Sequence, residues 1–556
     1  MSQERLIDYE RLTTPKGHLE TLLEPSIEKL LEVAGVRSST IGGDQDQDRL
    51  FNHPSLCRHG AGITGRDASA RLAGPRRIAG YDLVEIRESL RRRLGLRGLV
   101  VLTGHQCEFF HAGVLAKTIA TVDLAERVGG ESAFMGVDSD LTNSPTVVVP
   151  CVDDGEVRVE SFPIPGCEAR RAIEDQPLVA VARWRAFFEG IRRRYGARAS
   201  MLEEYARGLE GDADMADVGL GEVVFRGQRN VLESLGLTAP TVISVSRATD
   251  TPEFRLFAAH LAVCAEEFAR CYNEARRSYR RRRRVRNPQR PAPLLSIDGG
   301  RVEAPLWLCR PGEPRRRVFV ERSDDRIVLY AEDERAGVVE ASPARGLDDS
   351  IVPLVFEDAQ WRVRPRALAL TAFARLFLCD VFVHGIGGAK YDEMTEDFAR
   401  SFFGVDLTPA CCVSATARLP LPRDDVVRDD VLRAERALRD IRYNPQRHID
   451  GLPRTMLARR DELIRRSGEL RAAATADRRE VFEQIRAANA EMLRRRPERP
   501  AELRRRLDET TRRHRSNVRA CEREFFFALH SRETLTLLAR NIRGLILGNR
   551  ATRGED

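Results

Sequence analysis

The chain has 556 residues, 42% of them apolar, and a net charge of +7: enough apolar material for several cores, and too small a charge bias to argue for nucleic acid. No apolar run approaches the ~18 residues of a membrane span, and the charged start MSQERLIDYERL lacks the apolar core of an export signal. Eleven cysteines without CxxC spacing, apart from the adjacent Cys411 and Cys412, read as reduced thiols of a cytoplasmic protein.

Residues 1–95 read as a polar helical region. Leu19, Leu22, Leu23, Ile27, Leu30 and Leu31 recur at helical spacing, a Gly- and Asp-rich loop is expected at 38–48, and a second helix at 81–93. Residues 96–165 hold the first α/β unit. GLVVLT, 98–103, is a short apolar run typical of a strand buried on both faces, and Gly104 should end it. A helix at 114–128 and a second buried strand at 133–137, ending at Asp138, complete a parallel crossover. Thr146 to Phe162 reads as a hairpin turning at Asp153-Asp154-Gly155. Residues 166–238 read as a helical insertion, and 239–255 as a third core strand, PTVISV, followed by a Thr-Pro helix start.

Residues 256–345 read as a helical and β-rich insertion. It contains the most basic run, Arg280 to Arg284 with Arg286, expected to be a solvated helix end or a site for a small polyanion. Residues 346–423 return to the core, with a helix at 365–378 and a strand ending at His384. The stretch 424–556 reads as long charged helices. Val481, Ile485, Ala488 and Met492 form one apolar stripe, and Pro497 and Pro500 interrupt the pattern. Two outcomes fit that stripe: a coiled coil that makes a homodimer, or a bundle packed on its own core.

Lysine is nearly absent: Lys16, Lys29, Lys117 and Lys390 are the four in the chain, against 87 arginines. Lysine is a compact point charge on a flexible stem, so its survival marks a candidate for a specific task; chance survival of surface residues is the alternative. Lys117 lies in VVLTGHQCEFFHAGVLAKTIA and Lys390 in VFVHGIGGAKYDEMTED. Each follows an apolar run and glycine, the pattern of a strand entering an anion-holding turn. Thr103, Gly104, His105 and Gln106 would form one such turn. Gly385, Gly387 and Gly388 would form another, with His384 and Tyr391 beside it, although it lacks the Walker A ending. His105 and His111 are acid/base candidates or hydrogen-bonded structural residues. Asp138 and Asp140, flanking Ser139, would hold an ammonium group, orient a sugar hydroxyl or ligate Mg²⁺, or else cap a helix or turn. His105, Cys107 and His111 fit no standard zinc spacing, so no metal site is expected.

VLTGHQ followed by AKTIATVDLAERVGGESAFMGVDSD resembles the bacillithiol biosynthesis cysteine-adding enzymes. That family has a TGQQ turn, a Lys-bearing helix and a strand ending in an acidic EDHD-like segment. TVISV, APLWLCRPGEPRRRVFVE, RPRALALTAFARLFLCDVFVHGIGGAKY and the C-terminal helices are similar to its later elements, in the same order. The chain departs from the pattern in having His105 for Gln and Ser139 for His, and the TGHQ-to-Lys117 stretch is about two residues shorter. The resemblance implies a Rossmann-like parallel sheet core with insertions and a C-terminal dimerising coiled coil. It implies a carbon–nitrogen ligase joining the carboxyl of cysteine to the amine of glucosaminyl-malate, using ATP with Mg²⁺ and no tightly bound cofactor. Lys117, Lys390 and the glycines of 385–388 would meet phosphate. His105, Asp138 and Asp140 would carry catalysis, and Thr103, Gly104, Gln106, Ser139, His384 and Tyr391 would shape the substrate pocket. A ligase for another amine and a non-catalytic coiled-coil binding protein are the competing readings.

Overall fold

The computed structural model describes residues 6–34, 77–78, 81–196, 200–209, 217–287, 292–323, 326–340, 354–470 and 475–547; the loop expected at 38–48 lies outside them. Helix accounts for 52% and strand for 21%, so the chain is mixed α/β. It divides into two compact units, the first formed by Met1–Val149, Ser161–Arg418 and Arg523–Asp556, the second by Pro150–Glu160 and Leu419–Glu522.

The first unit is built on a six-stranded sheet. Its strands, in chain order, are β1 (Glu20–Glu24), β2 (Val100–Gln106), β3 (Glu131–Val137), β4 (Thr241–Ser244), β5 (Val381–His384) and β6 (Ala410–Thr416). The spatial order is β1-β6-β5-β2-β3-β4, parallel throughout except for the antiparallel edge strand β1. Val100, Val101 and Leu102 are wholly buried, as expected for a strand covered on both faces. Val100 and Leu102 share a core cluster with Phe268, Phe398 and Phe402, whereas Val101 between them lies outside that cluster; the strand alternation thus divides the two faces.

The helices of this unit used below are α1 (Leu83–Leu94), α2 (Ala112–Arg127), α3 (Pro252–Val263), α4 (Ala265–Arg282), α5 (Ala367–Phe373) and α6 (Ile386–Phe403). The early Pro at 252 is realised as expected, with the Thr251 hydroxyl accepting from Phe254 N. Thr146–Asp153 and Glu156–Pro163 form the expected hairpin, with positive φ at Asp154 and Gly155.

Four expectations are corrected. Leu19, Leu22 and Leu23 do not share a helix with Ile27, Leu30 and Leu31: Glu20–Glu24 is the edge strand β1, and the helix spans only Ile27–Val33. Gly104 does not end β2: the strand runs on to Gln106, pairing Gly104 with Met135 and Gln106 with Val137. A Cβ at 104 would lie 2.9 Å from the Met135 carbonyl oxygen, so glycine permits the close approach that continues the ladder. The TGHQ segment is therefore strand, and α2 begins at Ala112, with His111 as its cap. The helix expected at 365–378 is α5 followed by a π-helical turn, Ala374–Leu378. Gly387 and Gly388 lie inside the first turn of α6, so HGIGGAK is a helix start and not an extended phosphate loop.

A β-rich insertion in the same unit contains Arg301–Cys309, Arg316–Ser323, Arg326–Ala331 and Glu334–Glu340 as an antiparallel meander, with Arg362–Pro365 paired to the first strand. The basic run at the end of α4 is partly tied down. Arg282 and Arg283 each reach Glu393 of α6 at 2.8 Å, and Arg282 also meets Asp397.

The second unit contains four helices, α7 (Arg428–Tyr443), α8 (Arg454–Glu469), α9 (Thr475–Arg494) and α10 (Arg499–Ala520). α7 packs with α10, and α8 with α9. Val481, Ile485, Ala488 and Met492 are buried as the stripe predicts, and the first three cluster with Leu463 of α8. The charged helical pattern expected to run on from Pro500 stops at Ala520. The following Phe525, Phe526 and Phe527 are buried in the first unit, where Phe526 packs edge-on against Phe109 and Tyr205. Three consecutive large aromatics cannot all face one stripe of an α-helix, and α10 ends before them. α11 (Arg532–Leu547) follows and packs on α2.

Candidate functional site

The chain leaves β2 towards β3 and β4 on one side, and leaves β5 towards β6 on the other. Such a reversal opens a crevice at the carboxyl ends of the two central strands. A cavity of about 910 Å³ lies there. It is lined by Gly104, His105, Gln106, Ser139 and Asp140 on the β2–β3 side, by Lys117 and His111 from α2 and its cap, and by His384, Gly385, Gly387, Gly388 and Tyr391 on the β5–α6 side.

Lys117 stands at the centre of this arrangement. It is 7% exposed and its ammonium donates to the Gly104 carbonyl at 2.8 Å. Among the described residues no carboxylate forms an ion pair with it. Burial lowers its amine to about 8. Its side chain reaches the start of α6, where a Cβ on Gly385 would lie 3.3 Å from the lysine Cδ. That helix begins without a side-chain cap, leaving first-turn N–H groups open towards the cavity. The N-terminus of α2, expected to bind an anion, is instead capped: His111 Nδ1 accepts from Gly113 N at 3.0 Å.

Burial, reinforced by Lys117, lowers the His105 imidazole to about 3; burial, with Arg523 and Lys117, lowers His111 to about 4. Both rings are neutral near pH 7. His105 Nδ1 lies 2.7 Å from Gln106 Oε1, and the ring stacks on Phe110. The segment between β2 and α2 is fixed by aromatic packing: Phe527 N donates to the Phe110 carbonyl, and Phe110 and Phe527 stack at 5.2 Å.

The two carboxylates separate. Asp138 turns away from the cavity: its Oδ1 accepts from Ser246 N at 2.9 Å and its Oδ2 from the Ser246 hydroxyl. It thus ties the end of β3 to the short helix after β4, the capping role its residue type allows. Burial raises its carboxyl despite those bonds. Asp140 lines the cavity and accepts from Arg315 at 2.9 Å and from Leu141 N. Thr103 is fully buried, its hydroxyl donating to the Val383 carbonyl across β2 and β5. Lys390 is exposed and outside the cavity wall, so the two motif lysines do not converge.

Four wall groups escaped the sequence reading. Trp307 of the β-rich insertion lies between the guanidiniums of Arg315 and Arg366, at 4.7 and 4.6 Å. Arg523, from the segment before the phenylalanine cluster, also lines the cavity. Trp307 is one of three tryptophans, and that rarity was the available signal; no single arginine stands out among 87.

Lys117, the open first turn of α6 and Arg523 give the cavity positive potential. Among the described residues no group of three or more His, Cys, Asp or Glu side chains is placed to hold a metal ion. Also among them, no helix is long and apolar enough to cross a membrane. No family model matches the chain, and no curated protein matches it.

Proposed function

We propose that this protein is a carbon–nitrogen ligase of the kind its TGHQ and VDSD segments resemble, with a Rossmann-like core. In this reading ATP activates the carboxyl group of cysteine, and the amine of an amino-sugar conjugate such as glucosaminyl-malate captures it. The observation that carries the reading is the buried Lys117 ammonium beside the uncapped start of α6, at the reversal point of a parallel sheet. A compact cation and aligned N–H groups in a desolvated cleft are suited to the negative charge of a leaving phosphate. Asp140 and Ser139 would orient the amine or the sugar. The Trp307–Arg315–Arg366 wall would face the acidic end of the acceptor. The departures at His105 and Ser139 favour a changed acceptor within the same chemistry.

In the same proposal the protein is cytoplasmic, and α7 to α10 form a coiled coil that makes a homodimer. Exposed Ile464, Phe482 and Val518 on these helices support that reading, and light scattering on the purified protein tests it. The functional test is mass spectrometry of reactions containing cysteine, ATP, Mg²⁺ and a panel of amines led by glucosaminyl-malate. A cysteinyl amide formed with loss of ATP is the expected result. ATP left intact with every amine would contradict the ligase reading.

A further inference from the structure

His384, not His105, occupies the position of a base. It ends β5 and lines the cavity. Its Nε2 lies 2.7 Å from Asp392 Oδ2 in the second turn of α6. Asp392 is 1% exposed and pairs with the equally buried Arg375. Arg375 also bonds the Thr408 carbonyl and meets Glu396 at 3.1 Å. The π-helical turn carries Arg375 and brings it into this cluster.

This arrangement fixes the histidine tautomer. A guanidinium has only donors, so Arg375 holds Asp392 as an acceptor anion. Nε2 must then carry the hydrogen shared with Asp392, which leaves the lone pair on Nδ1. Among the described residues Nδ1 has no hydrogen-bond partner, and it is not sealed from solvent. It lies over the first turn of α6, where positions 387 and 388 are glycine. A Cβ on Gly388 would lie 3.0 Å from Nδ1, and one on Gly387 would meet nothing within 4 Å. The glycine pair that resembled a phosphate loop therefore keeps open the approach to an imidazole lone pair. Lys117 stands one residue away, against Gly385.

We infer that His384 is the proton-accepting catalytic residue of the cavity, with Asp392 and Arg375 as its positioning residues. The base assignment rests on the ligase reading only for the source of the proton. In that step the amine lone pair forms the C–N bond to the activated carboxyl carbon. The bond from that carbon to its phosphate oxygen breaks, and its electron pair leaves on the oxygen. The proton released by the nitrogen passes to Nδ1, while Nε2–H remains bonded to Asp392. His105 is poorly suited to the task, because burial beside Lys117 leaves its ring too weakly basic to hold that proton.

The test combines a spectroscopic readout with turnover, using full-length protein labelled with ¹⁵N at its ten histidines. The signal lost in His384→Asn identifies the residue, and long-range ¹H–¹⁵N couplings report its tautomer. The expected wild-type result is protonated Nε2 and bare Nδ1. In Asp392→Asn the tautomer should become mixed, and amide formation should fall. His384→Asn should lower kcat by about 10²–10⁴-fold with little change in KM. Gly388→Ala provides a variant that should fold: alanine suits the helix better than glycine. It should keep the tautomer and thermal stability yet lose turnover at least tenfold, because its methyl group crowds Nδ1. Protonated Nδ1 in the wild type, or full turnover in His384→Asn, would overturn the assignment. If wild-type protein makes no amide from any amine, the ligase reading fails, and the tautomer measurement still decides the base assignment.

Discussion

The two ends of the parallel sheet handle buried charge in opposite ways. At the amino end, Asp380 precedes β5 and is saturated: its carboxylate pairs with Arg87 at 2.5 Å and Arg91 at 3.0 Å and accepts from Val100 N at 2.7 Å. It locks α1 and the start of β2 to β5. At the carboxyl end of the same strands, among the described residues, Lys117 meets only a carbonyl, His105 and His111 are held neutral, and His384 keeps Nδ1 unbonded. A buried charge with every partner present stiffens a fold. A buried ionisable group left short of partners costs stability and is retained where a ligand completes it. On the proposed reading, the chemistry belongs to the carboxyl edge and the structural ties to the amino edge.

Lys117→Met should have the largest effect on function, lowering amide formation by about 10²–10³-fold, as loss of one preorganised charge donor does. Its stability at neutral pH should be unchanged or higher, because methionine fills the space without a desolvated amine; calorimetry beside the product assay checks both. Asp380→Asn should show the reverse pattern. Leaving two largely buried guanidiniums short of their carboxylate should cost about 3 kcal/mol in chemical denaturation, with KM unchanged.

The pH dependence follows from the direction of the Lys117 shift. Its folded amine titrates at about 8, below the ordinary value of 10.5, so between these values the unfolded chain binds more protons. Stability should therefore rise with pH across that window, and the rise should disappear in Lys117→Met. Burial lowers His105 and His530 to about 3 and His111 and His260 to about 4, so stability should fall as pH drops from 6.5 through that range.

Two smaller effects sharpen the carboxyl-edge account. Gly104→Ala should cost about 1–3 kcal/mol by overpacking against β3, since its Cβ would press on the Met135 carbonyl. Trp307→Leu should cost only about 0.5–1 kcal/mol for each lost guanidinium contact, and should appear mainly as a raised KM for an acidic acceptor.

Much of this edge was legible in the sequence because its signals are local. Apolar runs gave β2, β3 and β5, the rare Lys117 fell in the cavity, and His384 closed its strand. The failures have physical causes. Gly104 was read as a stop, whereas its missing side chain lets the strand continue beside Met135. Asp138 and Asp140 share a strand end, yet which one faces the cavity depends on Ser246 and Arg315, more than 100 positions away in the chain. Arg375 and Asp392 lie 17 residues apart, on either side of β5, and a π-helical turn that spacing does not announce brings Arg375 to its partner. Lys390 shows the limit of rarity as a guide: it is as uncommon as Lys117, but its place in α6 turns it to solvent.

The most direct measurement is single-turnover amide formation by Lys117→Met and Asp380→Asn, each compared with wild type at equal folded fraction. The carboxyl-edge variant should be slowed about 10²–10³-fold, while the amino-edge variant, though less stable, should keep the wild-type rate. Full turnover by Lys117→Met, or a folded Asp380→Asn that makes no product, would contradict that expectation.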